Sequence, residues 1–330
     1  MSVRLRRRDF IAALGGAAAW PLAARAQPAV PVIGWLTTAG PETQDPANLP
    51  ALRKGLGQHG FVEGRNLAIE YRYANNDFNR LPALAADLVH GRVAVILAIG
   101  GAVTARAAKA ATVAIPIVFV QGDDPVATGV VARLNRPGGN VTGITFLSAE
   151  LGPKRLGLLK ELVPEATRYA LLVNPNSPAT NLLIADMRSA AASIGREIEV
   201  FAASSIPEID LAFADLVRKG AEALVVGNSS LFANRRVQLA ILAAIHRLPT
   251  IYYTRSTVEA GGLMSYGAHI SDAINQAGNY AGRILKGEKP GDLPVMQAAK
   301  FEFVLNRQTA RSLGLDVPPT LLALADEVIE

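Results

Sequence analysis

Apolar runs alternate with amphipathic stretches through most of this chain, and this alternation constrains the fold more than any other feature. The run from 93 to 99 is continuously apolar, which is typical of a parallel strand covered on both faces. The stretch from 78 to 90 places Leu81, Leu84 and Leu88 at helical spacing. Because repeated strand–helix–strand units require right-handed crossovers, the sequence predicts an α/β fold with doubly wound parallel sheets.

A turn-rich segment, Asn135 to Asn140, divides the alternation into two series and predicts two Rossmann-like lobes. The predicted strands are 31–36, 67–73, 93–99, 117–120, 141–145, 169–173, 197–202, 223–226, 250–252, 263–266 and 301–305. The predicted helices are 46–58, 78–90, 102–111, 151–163, 180–194, 206–219, 231–245 and 270–286. The last elements could cross back to the first lobe and return, which would give multiple hinge crossovers and a cleft between the lobes. We therefore assign 28–145 plus about 267–290 to lobe 1, and 146–266 plus about 291–330 to lobe 2.

The first 26 residues have the pattern of a cleaved signal peptide, and we expect export to the periplasm. Basic residues from Arg4 to Arg8 precede a short apolar stretch, and small residues at Ala24 and Ala26 suit signal peptidase. The basic cluster resembles a twin-arginine signal, with the general export route and a merely basic or membrane-anchored tail as alternatives. No later segment has about 18 uninterrupted apolar residues, so we expect no stable membrane insertion after cleavage.

Charge and cysteine content exclude several classes of protein. The formal net charge is +5, but residues 1–26 hold five arginines and one aspartate, so the remaining 28 basic and 27 acidic residues nearly balance. A nucleic-acid-binding protein would be expected to keep a basic stripe. The chain has no cysteine, which excludes disulfides and thiolate metal sites.

Ligands of doubly wound sheets bind beyond the carboxyl ends of the strands, so the loops there are the candidate site. Five such loops are rich in small hydroxyl and amide residues and contain no His, Lys or Arg: 37–41, 100–104, 121–125, 174–178 and 227–230. This composition favours neutral hydrogen bonding over acid–base chemistry. The four histidines lack metal-ligand spacing, and phosphate-loop, dinucleotide and nucleophile-elbow motifs are missing. We expect a binding protein without metal or cofactor.

Two of these loops carry more specific chemistry. The glycines 100 and 101 open a helix whose N–H groups could bind a carboxylate, or they form a plain turn. In the pair Asp123 and Asp124, one carboxylate could hold a ligand ammonium while the other caps the next segment, or both belong to a structural turn. Trp35 and the few other aromatic residues near strand ends either line the cleft or pack in the core.

Several short segments, taken together and in order, carry a family resemblance. They are Ile33-Gly34-Trp35-Leu36, Leu52-Arg53-Lys54-Gly55-Leu56, residues 60–66 (GFVEGRN), Ile117-Val118-Phe119, Asp124-Pro125-Val126, residues 136–143 (RPGGNVTG), Phe303-Val304-Leu305-Asn306, Leu313-Gly314-Leu315, Pro318 and residues 325–329 (ADEVI). Through them the chain resembles the ABC-transporter substrate-binding proteins described as tryptophan/tyrosine-type, which have a type I periplasmic-binding-protein fold.

The resemblance implies a bilobed binder without enzymatic activity, which delivers its ligand to an ABC permease with its ATPase. We expect a monomer that binds an amino acid or related carboxylate, since Asp124 could hold an ammonium group and the helix start at Gly100-Gly101 a carboxylate. The implied ligand-binding residues are Thr37, Thr38, Gly101, Thr104, Gln121 and Asp124 from lobe 1, and Asn176, Ser177, Asn181, Asn228, Ser229 and Tyr266 from lobe 2. Asp124 is the residue mapped to the ligand amino group. The alternatives are a periplasmic sensor that presents its ligand to a receptor kinase, an exported α/β enzyme, and a repressor, which would need an N-terminal helix-turn-helix.

Overall fold

The computed structural model describes residues 30–146 and 151–330, and the proposed signal peptide lies outside the described residues. The strands are β1 Val32–Thr37, β2 Ala68–Tyr73, β3 Val95–Ile99, β4 Ile117–Gln121, β5 Val141–Thr145, β6 Arg168–Val173, β7 Glu197–Ala202, β8 Ala223–Val226, β9 Thr250–Tyr252, β10 Met264–Ala268, β11 Met296–Gln297, β12 Phe301–Asn306 and β13 Glu327–Ile329. The helices are α1 Asn48–Gly57, α2 Leu81–His90, α3 Ala102–Ala111, α4 Gly152–Leu162, α5 Thr180–Ser193, α6 Ile206–Arg218, α7 Ser230–Asn234, α8 Arg236–Ile245, α9 Arg255–Glu259, α10 Ile270–Leu285, α11 Arg307–Leu313 and α12 Pro319–Leu324. Short 3₁₀ turns occupy Phe78–Arg80 and Pro290–Asp292.

The first lobe is built on a parallel sheet with the strand order β11-β5-β4-β3-β1-β2. Its central strands are buried on both faces, since alternate residues enter two separate cores. In β3, Val95 and Leu97 pack into one core while Ile96 and Ala98 pack into the other. This double burial explains why the strand has a continuous apolar sequence.

The second lobe has the strand order β13-β12-β10-β9-β8-β6-β7, parallel except for the antiparallel pair β10 and β12. Alternate residues again divide between two cores, with Leu171 and Val225 on one face and Leu172 and Val226 on the other. The two doubly wound α/β lobes predicted from the sequence are therefore confirmed.

The chain crosses between the sheets after β5, after β10 and after β11, as the predicted hinge crossovers require. After β10, the helix α10 returns to the first lobe and packs closely on α1. Two glycines permit this approach, because a Cβ on Gly55 would lie 2.0 Å from the Asn275 carbonyl oxygen and one on Gly278 would lie 2.5 Å from that of Leu52.

The structure differs from the sequence-based assignment in three places. Lobe 1 extends past residue 291, because β11 pairs with β5 and the chain leaves this sheet only after Gln297. The predicted helix 231–245 is two helices, α7 and α8, which meet at Arg235. The tail holds α11, α12 and β13, which carry short or weak periodic patterns.

In the part of the chain that the structure describes, no helix has both the length and the apolar character needed to cross a bilayer.

Candidate functional site

A cavity of about 150 Å³ lies between the two lobes, at the carboxyl ends of the parallel strands. A cavity of about this volume can hold a molecule the size of benzene. The loops after β1, β3 and β4 line it from lobe 1, and those after β6, β8 and β9 line it from lobe 2. Its polar lining residues include Thr37, Thr43, Gln44, Asp45, Asn48, Gln121, Asp123, Asn174, Asn176, Ser177, Asn228, Ser229, Ser230, Asn234, Arg236, Thr254 and Ser256.

Lobe 1 presents hydrogen-bond acceptors to this cavity. Asp123 is 8% exposed, and burial raises the pKa of its carboxyl group above the ordinary value. The amide oxygens Oε1 of Gln121 and Oδ1 of Asn48 are buried and have no hydrogen-bond partner among the described residues. Because an unpaired buried acceptor is unfavourable, these oxygens indicate a ligand that brings N–H or O–H donors.

The Gln121 side chain is held in place by its amide nitrogen, Nε2. Its Nε2 donates to the Asp123 carbonyl at 3.3 Å and to Thr128 Oγ1 at 3.4 Å. The hydroxyl of Thr145 donates to the same Asp123 carbonyl at 2.9 Å. These bonds fix the backbone at Asp123 and leave the Gln121 oxygen at the cavity.

Lobe 2 presents hydroxyl and amide groups on a rigid support. Asn174 Nδ2 donates to Ser229 Oγ at 3.0 Å, and Asn174 Oδ1 accepts from the backbone N–H of Asn176 at 2.9 Å. The hydroxyl of Tyr253 donates to the Ser229 carbonyl at 2.5 Å, and burial raises the pKa of this phenol. Since Ser229 Oγ accepts from Asn174, its own proton remains to be donated toward the cavity.

The remaining wall is apolar and comes mainly from lobe 1. Its side chains are Phe78, Ile99, Val103, Val120, Phe146, Ile270 and Ile274. The cavity therefore combines an acceptor-rich end, a hydroxyl- and amide-rich end and an apolar surface, which is the usual composition of a site for a small organic molecule.

The cavity brings together seven of the residues that the sequence singles out. They are Thr37, Gly101, Gln121, Asn176, Ser177, Asn228 and Ser229. Gly101 has a φ of +95°, and the N–H of Ala102 that follows it donates to Asp123 Oδ2 at 3.4 Å. The helix start proposed as an anion site is thus occupied by the protein's own carboxylate.

Asp124, the residue mapped to the ligand amino group, lies outside the cavity. It is exposed, and its Oδ1 accepts from the backbone N–H groups of Val126 at 2.8 Å and Ala127 at 3.2 Å. Asp124 therefore caps the following turn, and the carboxylate at the cavity belongs to Asp123.

Four other predicted residues also lie away from the cavity lining. Thr38 accepts a hydrogen bond from Asn234 of the opposite lobe, and Thr104 is fully buried within α3. Asn181 is exposed on α5. The ring of Tyr266 stacks on Phe301 of the neighbouring strand β12, with centroids 6.5 Å apart.

Several lining residues were not predicted, because they lie at or next to the start of a helix and outside the five loops singled out from the sequence. Asn48 begins α1, Arg236 begins α8, and Thr254 and Ser256 surround the start of α9. In the sequence, these positions could have been found as helix N-termini that face the cleft, because a helix N-terminus often binds a ligand. Arg236 also places one guanidinium at a site whose strand-end loops contain no basic residue.

The described residues contain no group of three or more His, Cys, Asp or Glu side chains arranged to hold a metal ion. The arrangement can bind a small polar molecule by hydrogen bonds and by one buried carboxylate.

Residues 47–329 match the family of ABC transporter substrate binding proteins. A tyrosine-binding protein from Clostridioides difficile is 28% identical over 263 residues, which are 79% of this chain and 75% of that protein.

Solved structures share this fold, and each of the following two covers 91% of this chain and 99% of its own. An ABC domain from Streptococcus pneumoniae in complex with L-Trp has 23% identity and a TM-score of 0.81. The ligand-free, open structure of a substrate binding protein with adhesive properties from Clostridium difficile has 27% identity and a TM-score of 0.64.

Proposed function

This chain belongs to the ABC transporter substrate-binding protein family, and from that premise we propose that it captures an α-amino acid in the interlobe cleft and delivers it to an ABC permease. Its fold is that of the type I periplasmic binding proteins. The observation that carries the ligand proposal is the set of acceptors on lobe 1, formed by Asp123, Gln121 and Asn48.

A ligand ammonium fits this acceptor set. It offers three N–H donors, and it places a positive charge beside the buried Asp123 carboxylate. Partly buried charge pairs of this kind both bind and orient a ligand. In this orientation the ligand carboxylate faces the hydroxyl and amide groups of Ser229, Asn228 and Asn176 on lobe 2.

The apolar wall receives the ligand side chain. Val103, Phe146 and Ile274 lie on this wall. The similarity to a tyrosine-binding protein supports an aromatic or large aliphatic amino acid. Binding rather than catalysis is the role that the family supports.

The transport role rests on the family. The first 26 residues support export to the periplasm, where the monomeric protein would close on its ligand and meet a permease whose ATPase supplies energy. A pull-down of the liganded protein with the permease encoded nearest to it would test the transport step separately from ligand binding.

A thermal-shift screen tests ligand binding. A ligand at 100 times its Kd stabilises the native state by about 2.7 kcal/mol, which raises the Tm of a chain of this length by about 4 °C. We expect a shift with at least one of the twenty L-amino acids, and a smaller shift or none with its deamino analogue, which lacks the ammonium group. The proposal fails if no amino acid at 10 mM raises the Tm, or if the deamino analogue binds equally well.

A further inference from the structure

The two lobes also hold each other directly, through side chains at the junction of α7 and α8. Asn234 Nδ2 of lobe 2 donates to Asn76 Oδ1 at 2.6 Å and to Thr38 Oγ1 at 3.4 Å of lobe 1. Arg236 NH1 donates to the Thr43 carbonyl at 2.6 Å. These bonds join residues about 160 to 200 positions apart and contain no ligand atom.

The donors are placed by the break between the two helices. Arg235 has φ −110° and ψ 24°, which ends α7 and lets α8 start in a new direction. Phe232 on one side of the break and Leu239 on the other are fixed in the core of lobe 2. Asn234 and Arg236 therefore project from a rigid corner.

The acceptors are fixed just as firmly on lobe 1. Asn76 has a φ of +64°, and its backbone N–H donates to the Thr38 carbonyl at 2.8 Å. The backbone N–H groups of Thr43 and Gln44 both donate to the Gly40 carbonyl, at 3.2 and 3.0 Å. Rigid donors facing rigid acceptors lose little conformational entropy when they meet.

We infer that Asn234 and Arg236, with their lobe 1 acceptors, form an interlobe clasp that sets the balance between open and closed protein. Asn234 and Arg236 also line the cavity, but their bonds to Asn76, Thr38 and Thr43 join protein to protein, so this part of the stabilisation of the closed cleft comes from the protein itself. Since apparent affinity scales with the fraction of protein in the binding-competent state, the clasp tunes the Kd. A test of the clasp by ligand affinity rests on the proposed binding function, whereas a test by the distance between the lobes does not.

The first test measures the lobe distance without ligand. The chain has no cysteine, so Val113→Cys on lobe 1 and Leu211→Cys on lobe 2, which are 90% and 68% exposed, accept one spin label each. We expect Asn234→Ala with Arg236→Ala to raise the ratio of open to closed protein about tenfold, visible as longer label distances in pulsed electron resonance. Asn76→Ala, which removes an acceptor outside the ligand cavity, should act in the same direction.

A matched control comes from the same helix. Gln238 Nε2 donates to Asp210 Oδ1 at 2.8 Å entirely within lobe 2, so Gln238→Ala removes a hydrogen bond that does not join the lobes. Its distance distribution should match that of the parent protein. If the clasp variants also match the parent, with their folding verified by circular dichroism, the inference is wrong.

The second test uses the amino acid that gives the largest thermal shift. For Asn76→Ala we expect a larger dissociation rate with an association rate changed less than twofold, and Asn76→Ala combined with Asn234→Ala should add little to either single variant. Additive effects would contradict a shared contact. If no amino acid binds, the proposed function fails while the distance test still decides on the clasp.

Discussion

Asp123→Asn separates the contribution of a buried negative charge from that of cavity shape. Asparagine has nearly the same size as aspartate, and its Oδ1 can still accept from the N–H of Ala102. The change removes the partner proposed for the ligand ammonium. Truncating one member of a buried, hydrogen-bonded charge pair costs about 2–5 kcal/mol, so the Kd should rise at least about 30-fold.

Without ligand, the same substitution should leave the stability of the protein unchanged or increase it. Burial raises the pKa of Asp123 above its ordinary value of 3.8, so the folded protein binds this proton more tightly than the unfolded chain. The free energy of unfolding therefore falls as pH rises through the folded pKa, because a charge becomes buried without a full partner. Asp123→Asn removes this penalty, so at neutral pH the Tm without ligand should stay the same or increase.

Isothermal titration calorimetry and thermal melts measure the two effects on one sample. Asp124→Asn is the matched control, because Asp124 is exposed and caps a turn. It should leave the Kd within about twofold and lower stability by less than about 1 kcal/mol, as expected for a weakened cap. Equal Kd values for the two variants, or a loss of affinity only in Asp124→Asn, would refute the assignment of the ammonium site to Asp123.

Three further predictions follow from the same contacts. Lowering the pH through the raised pKa of Asp123 should weaken binding of a cationic group, since protonation removes the charge; a Kd titrated by calorimetry that stays constant down to acid unfolding would contradict this. Gly55→Ala should destabilise the protein by about 1–3 kcal/mol because its Cβ would meet the facing helix, whereas Gly57→Ala on the same helix has open space and should stabilise it by up to about 1 kcal/mol, as chemical denaturation would show. In protein from which the signal peptide and its Trp20 have been removed, ligand binding should change the fluorescence of Trp35. The Nε1 of Trp35 donates at 2.9 Å to Oε1 of Gln44, a residue that lines the cavity. An unchanged spectrum at saturation would mean that closure does not move this pair.

The sequence predicts the elements of the two sheets well because their patterns are set by burial. The strand β3 is covered on both faces, and the helix α3 starts at the glycine pair that precedes it. Elements with weaker burial were not predicted. β11 has two residues and β13 has three, so neither is long enough to show a period.

The sequence predicted where the cavity lies, at the carboxyl ends of the strands, but not the direction of individual side chains. Both Asp123 and Asp124 follow β4, and the sequence alone favours neither for the cleft. The choice depends on loop dihedral angles, which let Asp124 bond to the N–H groups after Pro125 and leave Asp123 facing α3. The break at Arg235 is similar, because arginine is a good helix former and the break depends on tertiary contacts.

The distribution of polar groups explains why this cleft needs both lobes. The unpaired amide oxygens of Gln121 and Asn48 belong to lobe 1, while the hydroxyl and amide groups around Ser229 belong to lobe 2. A molecule with donors at one end and acceptors at the other satisfies both sets only when the lobes are closed. The interlobe clasp favours the same closed state without the ligand. Weakening the clasp at Asn76, which lies outside the cavity, should thus lower affinity for all ligands alike, whereas changing Asp123 should discriminate between ligands with and without an ammonium group.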